Sequence, residues 1–256
     1  MIKTDATGLT AGMVTFPAGG GITTPAYRAL PSSAAGALHV VLVVQEIFGV
    51  NEHIQDICRR LAHAGYYAIA PELYLRQGDA STYTLEQVPQ LVADIVSKVP
   101  QAQVFADLDA CAAYAKSSSE AATAGLAITG FCWGGTMTWL YCAHNSGVKA
   151  GAAWYGRLNA PATELQPKRP PDIVGSLHAP VLGLYGGQDH GIPVSDVEMM
   201  RAALHKNGSV AAKASTIEVY PDAGHGFLAD YRPGYIEAAA QDGWQKMLTW
   251  FKHNGV

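Results

Sequence analysis

One cysteine in the chain, Cys132, has neighbours whose types and spacing predict nucleophilic chemistry. It lies in the sequence Gly-Phe-Cys-Trp-Gly-Gly at residues 130–135, between an apolar run at 126–128 that predicts a buried strand and a helical pattern at 137–141. This arrangement is typical of a nucleophile elbow with sulfur in place of serine. The flanking glycines permit the sharp turn, and the N-terminus of the helix favours a thiolate over a thiol. We therefore predict that Cys132 is a nucleophile rather than a buried structural cysteine.

An aspartate and a histidine follow Cys132 in two later loops. Asp189 lies in the sequence Gly-Gly-Gln-Asp-His, and His225 lies in the sequence Ala-Gly-His-Gly-Phe. The order of nucleophile, acid and histidine is that of the α/β-hydrolases and differs from both major serine protease orders. We predict that His225 pairs with the thiolate, protonates the leaving group and then activates water, while Asp189 orients the imidazole. Asp222, three residues before His225, is the alternative acid.

Acyl transfer by such a nucleophile also needs hydrogen-bond donors for the developing oxyanion. In a nucleophile elbow, one donor is the backbone N–H of the residue that follows the nucleophile, which is Trp133 here. The second donor comes from the loop after an earlier strand, where residues 45–49 read Gln-Glu-Ile-Phe-Gly. We predict that the backbone N–H of Ile47 is this second donor.

The segments that carry these residues alternate between strand and helix patterns. Runs typical of buried strands occur at 39–44, 66–70, 126–128, 148–154, 180–185 and 215–220. Helical patterns occur between and after them at 52–64, 85–99, 103–116, 195–206 and 235–253. Extended segments on both sides of residues 19–21 predict an edge hairpin. The chain is therefore predicted to have an α/β fold, with a doubly wound, mostly parallel sheet and an N-terminal edge hairpin.

In a doubly wound sheet, ligands bind outside the carboxyl ends of the strands. Glu46 follows a predicted strand, as do the nucleophile, the acid and the histidine, so we expect all four side chains to converge there. A proline-rich stretch at 158–175 has no periodicity and predicts an irregular loop near the site, because strands of the same kind continue beyond it. The whole chain, residues 1–256, is expected to be one domain.

Composition and charge narrow the classes of partner. The chain has 256 residues and a formal net charge of −4, and its lysines and arginines form no basic stripe, which argues against a nucleic acid partner. No apolar run reaches membrane-spanning length, and residues 1–5 do not begin a signal peptide. We therefore expect a cytoplasmic protein with no membrane partner, as a monomer or a homodimer.

The four cysteines do not have the close spacing of a disulfide scaffold or a zinc site. Cys58, Cys111 and Cys142 lie in predicted helices and are expected in the core. His190 could join His225 at a metal ion, but no set of Cys, His and Asp residues has ligand spacing. We therefore expect neither a metal site nor a cofactor.

Five short sequences together resemble the dienelactone hydrolase family. They are Gln-Glu-Ile-Phe-Gly-Val-Asn at 45–51, Ala-Pro-Glu-Leu-Tyr at 70–74, and the sequences at 130–135, 186–190 and 223–227. The resemblance extends from about residue 40 to the last predicted helix and implies an α/β-hydrolase fold. It also implies a triad of Cys132, Asp189 and His225. By the same resemblance, Glu46 contacts the nucleophile in the resting enzyme and helps to generate the thiolate when substrate binds.

The chain departs from the family at the positions that would bind the carboxylate of a dienelactone. The resemblance implies an arginine four residues after the triad histidine, where this chain has Ala229, and a second arginine in the segment 85–99, which has none. Arg76, Arg157 and Arg232 lie in predicted loops and could substitute, or could be solvated surface residues. We therefore predict a neutral or more apolar ester or lactone as substrate. The predicted substrate-binding residues are Tyr74, Arg76, Tyr155, Arg157 and Phe227.

The predicted function is hydrolysis of a small carboxylic ester or lactone through a thioester on Cys132. One alternative is promiscuous attack of the same thiolate on aryl esters or phosphotriesters. A second is a binding protein that kept the fold and lost catalysis, although such proteins usually lack a triad residue. A thiol redox protein is a third, but Cys132 has no nearby resolving cysteine in the sequence.

Overall fold

The computed structural model of the protein describes residues 2–33, 36–118 and 121–256. The strands are β1 (Leu9–Ala18), β2 (Ile22–Pro31), β3 (Leu38–Val44), β4 (Tyr67–Pro71), β5 (Ala121–Phe131), β6 (Ala150–Trp154), β7 (Val181–Gly186) and β8 (Thr216–Tyr220). The α-helices are α1 (Glu52–His63), α2 (Val88–Asp94), α3 (Gln101–Ser117), α4 (Trp133–His144), α5 (Val194–Asn207), α6 (Val210–Lys213) and α7 (Glu237–His253). The strands form an eight-stranded, mostly parallel sheet, which confirms the predicted α/β fold.

The chain divides into two compact units. The N-terminal unit consists of Lys3–Ala124 with Thr163–Pro167, and the C-terminal unit consists mainly of Gly125–Ala162 and Lys168–Val256. Strands β1 to β4 belong to the N-terminal unit, and most of β5 with all of β6 to β8 belongs to the C-terminal unit. The description of residues 1–256 as one domain stays a prediction.

The N-terminal unit begins with the predicted edge hairpin. Strands β1 and β2 pair antiparallel from Leu9↔Pro31 to Ala18↔Ile22. Gly20 and Gly21 in the intervening turn have φ values of 75° and 73°, which glycine adopts without steric cost. Strand β2 pairs antiparallel with β4, and β4 pairs parallel with β3. The strand order in this unit is therefore β1-β2-β4-β3.

Helix α1 connects β3 to β4 and forms for local reasons that the sequence displays. Its N-cap is Asn51, whose side-chain oxygen accepts a hydrogen bond from the Ile54 N–H at 3.2 Å. Apolar residues at helical spacing, among them Ile54 and Leu61, are fully buried. The helix ends just before Gly65, which has a φ of 95°. Asn51 thereby starts α1 directly after the turn that carries Glu46.

The segment predicted as one helix over 85–99 is interrupted in the structure. Helix α2 covers only Val88–Asp94 and is flanked by short 3-10 segments. Ile95, with φ −122° and ψ −64°, leaves the α-helical region and ends α2. The apolar spacing indicated helix correctly, but it did not show this local break.

The C-terminal unit contains the fully parallel half of the sheet, in the order β5-β6-β7-β8. All residues of β6 and β7 are buried, as expected for strands covered on both faces. Because the strands are parallel, their carboxyl ends lie at one edge of the sheet. Those ends are Phe131, Trp154, Gly186 and Tyr220. Residues that directly follow them are thus placed close together.

Three cysteines predicted to be structural are in the core. Cys58, Cys111 and Cys142 are all fully buried, and burial raises the pKa of each thiol. They are consequently held as neutral thiols without access to solvent, whereas Cys132 is half-buried.

The proline-rich stretch at 158–175, which the structure describes throughout, contains no α-helix and no strand. A 3-10 segment at Pro170–Ser176 ends it, where the Asp172 carboxylate accepts a hydrogen bond from the Arg169 N–H at 2.9 Å. Its predicted place near the site stays a prediction. Among the described residues, no helix combines the length and the apolar character needed to cross a membrane.

Candidate active site

Cys132 lies in a strained turn between β5 and α4. Its φ of 54° and ψ of −117° are uncommon for a residue other than glycine. The Cys132 N–H donates to the carbonyl of Trp154 at 3.0 Å, and the Cys132 carbonyl accepts from the N–H groups of Gly135 and Thr136 at 3.0 and 3.3 Å. These backbone hydrogen bonds hold the turn in place at the start of the helix.

Glycines allow the backbone segments around this turn to approach one another closely. A Cβ atom at Gly130 would lie 2.3 Å from the carbonyl oxygen of Gly134, which agrees with the predicted need for a small residue there. A Cβ at Gly135 would lie 2.4 Å from the carbonyl oxygen of Trp154, and a Cβ at Gly156 would lie 2.3 Å from the Thr136 nitrogen. The start of α4 therefore packs directly against the backbone after β6.

The structure brings Cys132, Asp189 and His225 together in one hydrogen-bonded chain. The Nε2 atom of His225 lies 3.2 Å from the Cys132 sulfur, and its Nδ1 atom lies 2.7 Å from Oδ2 of Asp189. The Asp189 side chain is 1% exposed, whereas 33% of the His225 side chain is exposed. One ring nitrogen of the imidazole therefore contacts a buried carboxylate, and the other contacts a thiol that is partly accessible to solvent.

Asp189 is oriented by its own backbone turn. Its Oδ1 atom accepts hydrogen bonds from the N–H groups of Gly191 and Ile192 at 2.9 and 3.2 Å. With Oδ1 engaged in this way, Oδ2 is directed to His225. The rival acid Asp222 is exposed, and the carboxylate that contacts His225 is that of Asp189.

The loops after β7 and β8 are joined by backbone contacts, which explains why Asp189 and His225 meet. The N–H of Gly187 donates to the Tyr220 carbonyl at 2.8 Å, and the N–H of Gln188 donates to the Ala223 carbonyl at 2.8 Å. A Cβ at Gly186 would lie 2.3 Å from the same Ala223 carbonyl oxygen. Glycine is required at this position because the two loops approach so closely.

A cluster of aromatic side chains contacts the imidazole through Tyr155. The Tyr155 ring packs edge-on against His225, with ring centroids 5.3 Å apart, and against Phe227 at 5.4 Å. Both aromatic residues are fully buried, and Phe227 also packs on Trp154. Tyr155 has a φ of 37°, so both Cys132 and Tyr155 adopt positive φ values at this edge of the sheet.

The hydrogen bonds of His225 alter its proton affinity. Burial by itself lowers the pKa of His225, but the hydrogen bonds with Asp189 and Cys132 outweigh burial and raise the pKa to about 10. The imidazolium form therefore prevails at neutral pH. The protonated ring places its Nε2 atom 3.2 Å from the Cys132 sulfur.

We predict that the imidazole of His225 titrates near pH 10 rather than near 6.5, so that it is protonated below that range and neutral above it. NMR of the ring nitrogens across pH 5 to about 11 measures this midpoint directly. Asp189→Asn should lower the midpoint, because the charged partner on Nδ1 is removed. A midpoint near 6.5 in the unmodified protein would contradict the predicted pairing.

Trp133, Arg157 and Arg232 also belong to the C-terminal unit. Trp133 is the first residue of α4, where a backbone N–H has no partner within the helix. Arg157 is exposed, and its carbonyl accepts from the Thr136 hydroxyl at 2.9 Å. The Arg232 side chain lies against Gly226, where a Cβ would be 3.3 Å from its Cδ atom.

The other predicted site residues belong to the N-terminal unit. Glu46 and Ile47 lie in a buried turn directly after β3, and Tyr74 is buried. Arg76 forms an ion pair with the fully buried Asp107, with its nitrogen atoms 2.6 and 3.0 Å from the carboxylate oxygens. This pairing gives Arg76 a structural contact, and its substrate-binding role stays a prediction.

Sequence reasoning did not single out Gly135 and Gly156, whose direct packing sets the distance between α4 and the end of β6. The only local signal was a Tyr-Gly pair directly after a predicted strand. Within the described residues, no cluster of three or more His, Cys, Asp and Glu side chains has the arrangement of a metal site.

Comparison with known proteins gives a consistent result. A family model described as the dienelactone hydrolase family matches residues 24–255. Proteins named "Putative carboxymethylenebutenolidase" from Methylorubrum extorquens and Escherichia coli K12 are 56% and 53% identical to the chain, cover all of it, and are themselves covered to 85% and 91%. A solved structure, "Putative Dienelactone Hydrolase from Klebsiella pneumoniae", superimposes with a TM-score of 0.90 at 53% identity, over 95% of this chain and 98% of that one. The chain therefore belongs to the dienelactone hydrolase family.

Proposed function

We propose that this protein, a dienelactone hydrolase-like hydrolase, cleaves a small carboxylic ester or lactone by attack of the Cys132 thiolate. The reaction proceeds through a thioester on that residue, with His225 as acid and base and Asp189 as its orienting carboxylate. The observation that carries the proposal is the chain of contacts from the sulfur to Nε2 at 3.2 Å and from Nδ1 to the carboxylate at 2.7 Å. Nucleophile, base and orienting group stand in the relation that acyl transfer requires.

In the acylation half-reaction, the thiolate attacks the carbonyl carbon and the carbonyl oxygen becomes an oxyanion. As the tetrahedral intermediate collapses, the bond to the leaving oxygen breaks, and the His225 imidazolium gives its Nε2 proton to that oxygen. An alcohol, or the hydroxyl end of an opened lactone, is formed. The acyl group remains on Cys132 as a thioester, and the imidazole is left neutral.

Deacylation uses the neutral imidazole as a base. Once the sulfur is acylated, its negative charge is gone, and with it one of the contacts that raise the pKa of His225. The imidazole then takes a proton from water while the water oxygen attacks the thioester carbon. Collapse of this intermediate expels the thiolate and releases the carboxylic acid, which restores the starting ion pair.

Backbone donors are proposed to hold the oxyanion. The Trp133 N–H lies at the start of α4, and the Ile47 N–H is in the turn after β3. Removing one such donor typically lowers turnover by about a hundredfold to a thousandfold. Glu46, which is fully buried at the start of the same turn, is proposed to help generate the thiolate when substrate binds.

A neutral or apolar substrate is proposed from the residues around His225. Ala229, which replaces the arginine expected there, is fully buried. The aromatic ring of Tyr155 packs against the imidazole and against the ring of Phe227. These rings favour an uncharged acyl or lactone group over a carboxylate. Arg157, exposed after β6, is the cation of this unit that we propose for binding the substrate.

The proposed intermediate can be trapped. We expect a rapid acid quench during turnover of an activated aryl acetate to leave one acetyl group on the peptide that contains Cys132. Neutral hydroxylamine should remove it, as it does for thioesters, and Cys58, Cys111 and Cys142 should remain unmodified because they are buried. Intact-protein mass spectrometry measures the acetylation and its removal by hydroxylamine, and peptide mass spectrometry identifies the cysteine that carries the acetyl group. Steady turnover with the acyl group on another side chain would refute the proposal.

A further inference from the structure

The turn after β3, residues 46–49, is buried although it belongs to no strand or helix. Glu46 is fully buried, and Ile47 and Phe48 are 8% and 7% exposed. An isolated bridge joins Glu46 to Gly49, whose φ of 74° closes the turn. Buried backbone groups outside regular structure need hydrogen-bond partners from elsewhere, since a buried group without a partner destabilises the fold.

Two side chains make hydrogen bonds next to this turn, one directly before it and one directly after it. Before it, Oε1 of the fully buried Gln45 accepts a hydrogen bond from the Leu73 N–H at 3.1 Å. After it, Oε1 of Glu72 accepts from the Val50 N–H at 3.2 Å. The other carboxylate oxygen of Glu72 faces Gly49, where a Cβ would lie only 3.3 Å away.

These contacts continue the connection between β3 and β4 beyond the point where the strands are in register. Their paired residues run from Val40↔Tyr67 to Leu42↔Ile69. Past that point, Gln45 reaches from the β3 side to the backbone after β4, and Glu72 reaches from the β4 side to the backbone after the turn. The two hydrogen bonds therefore run in opposite directions and enclose residues 46–49.

Glu72 is partly buried, which is unfavourable for a charged carboxyl group. Burial raises its pKa, and the nearby Asp79 adds to that shift, while the hydrogen bond from the Val50 N–H opposes it. The contacts of the Glu72 carboxyl group in this position are the hydrogen bond from the Val50 N–H and the close approach to Gly49.

We propose that Gln45 and Glu72 are positioning residues that fix the turn at 46–49 and so set the places of the Ile47 N–H and the Glu46 carboxylate during acyl transfer. The proposal rests on the proposed function, in which this turn supplies an oxyanion donor. Neither residue acts on substrate itself. A misplacement of about 1 Å in such a donor can lower the rate by about a hundredfold.

The test compares variants that lose one acceptor with variants that keep it. In Glu72→Ala and Gln45→Met, kcat for an activated aryl ester should fall tenfold to a hundredfold, with KM changed less than threefold. Glu72→Gln should retain most of the activity, because its amide oxygen can still accept from the Val50 N–H. The rate is expressed per alkylatable Cys132 thiol, so that a smaller folded fraction does not count as a catalytic loss.

Gln103→Ala is the matched control. Its side chain donates to the Leu73 carbonyl at 3.3 Å and to Gln77 at 3.1 Å, so its hydrogen bonds hold the same segment after β4. It should lose thermal stability comparable to Glu72→Ala and keep its kcat. A decrease in kcat that follows thermal stability across all four variants would overturn the proposal, as would unchanged kcat in Glu72→Ala and Gln45→Met.

Failure of this inference is separable from failure of the proposed function. If the thioester forms on Cys132 and the variants turn over normally, residues 46–49 need no such positioning and only the inference is wrong. If the acyl group never appears on Cys132, the proposed function is wrong and the inference falls with it.

Discussion

Replacing Cys132 with alanine is expected to lower kcat for an activated aryl ester by at least about 10⁴-fold, because no other thiol can take its place. The other three cysteines are fully buried, and burial raises their pKa values. Initial rates measured against the uncatalysed reaction give the size of the loss. Activity close to that of the unmodified protein would remove Cys132 from the mechanism.

Cys132→Ser is the matched control for this experiment. The hydroxyl has nearly the same size as the thiol and keeps the turn between β5 and α4, but it is far less acidic and needs full proton removal by His225. We expect a residual activity above that of the alanine variant and well below that of the thiol enzyme. Circular dichroism and thermal unfolding should show that both variants keep the fold.

Asp189→Asn is expected to lower kcat by about a thousandfold, because the carboxylate that holds the Nδ1 proton of His225 becomes an amide that can present its own N–H there. The hydrogen bond of 2.7 Å to Nδ1 is short, and the acceptor is almost fully buried. Loss of the charge also removes a contact that raises the pKa of His225. The measurement is kcat across pH together with the NMR midpoint of the imidazole.

Asp222→Asn provides the comparison, since Asp222 lies in the same loop as His225 and was the alternative acid. Its side chain is exposed, and we expect kcat within about twofold of the unmodified enzyme, as for other exposed polar changes. A loss in Asp222→Asn equal to that in Asp189→Asn would mean that the imidazole changes its partner during turnover.

Much of the fold was predictable because buried parallel strands have a simple pattern. Their residues are apolar on both faces, so β3, β6 and β7 appear in the sequence as continuous apolar runs. The turn at Cys132 was also predictable, since it depends on glycines that are neighbours in the chain. A structural requirement that involves only neighbouring residues can therefore be predicted from the sequence.

The contacts that place the site residues could not be predicted in the same way. Gly156 must be glycine because of the Thr136 nitrogen, and Gly186 because of the Ala223 carbonyl, and both partners are distant in sequence. Arg76 illustrates the same difficulty for charge. Its loop position predicts substrate binding, which stays a prediction. Its ion pair with the buried Asp107 on α3 leaves no sign in the sequence.

The direct packing of Gly135 on the backbone around Trp154 and Gly156 has a consequence for protein engineering. The backbones of the two segments are in direct contact. A shift of the residues after β6 would therefore also move the turn that carries the nucleophile. Libraries that place larger residues at position 156 should therefore yield inactive clones. Diversity at position 232, which lies in a separate loop and is only half-buried, is a safer route to new substrate ranges.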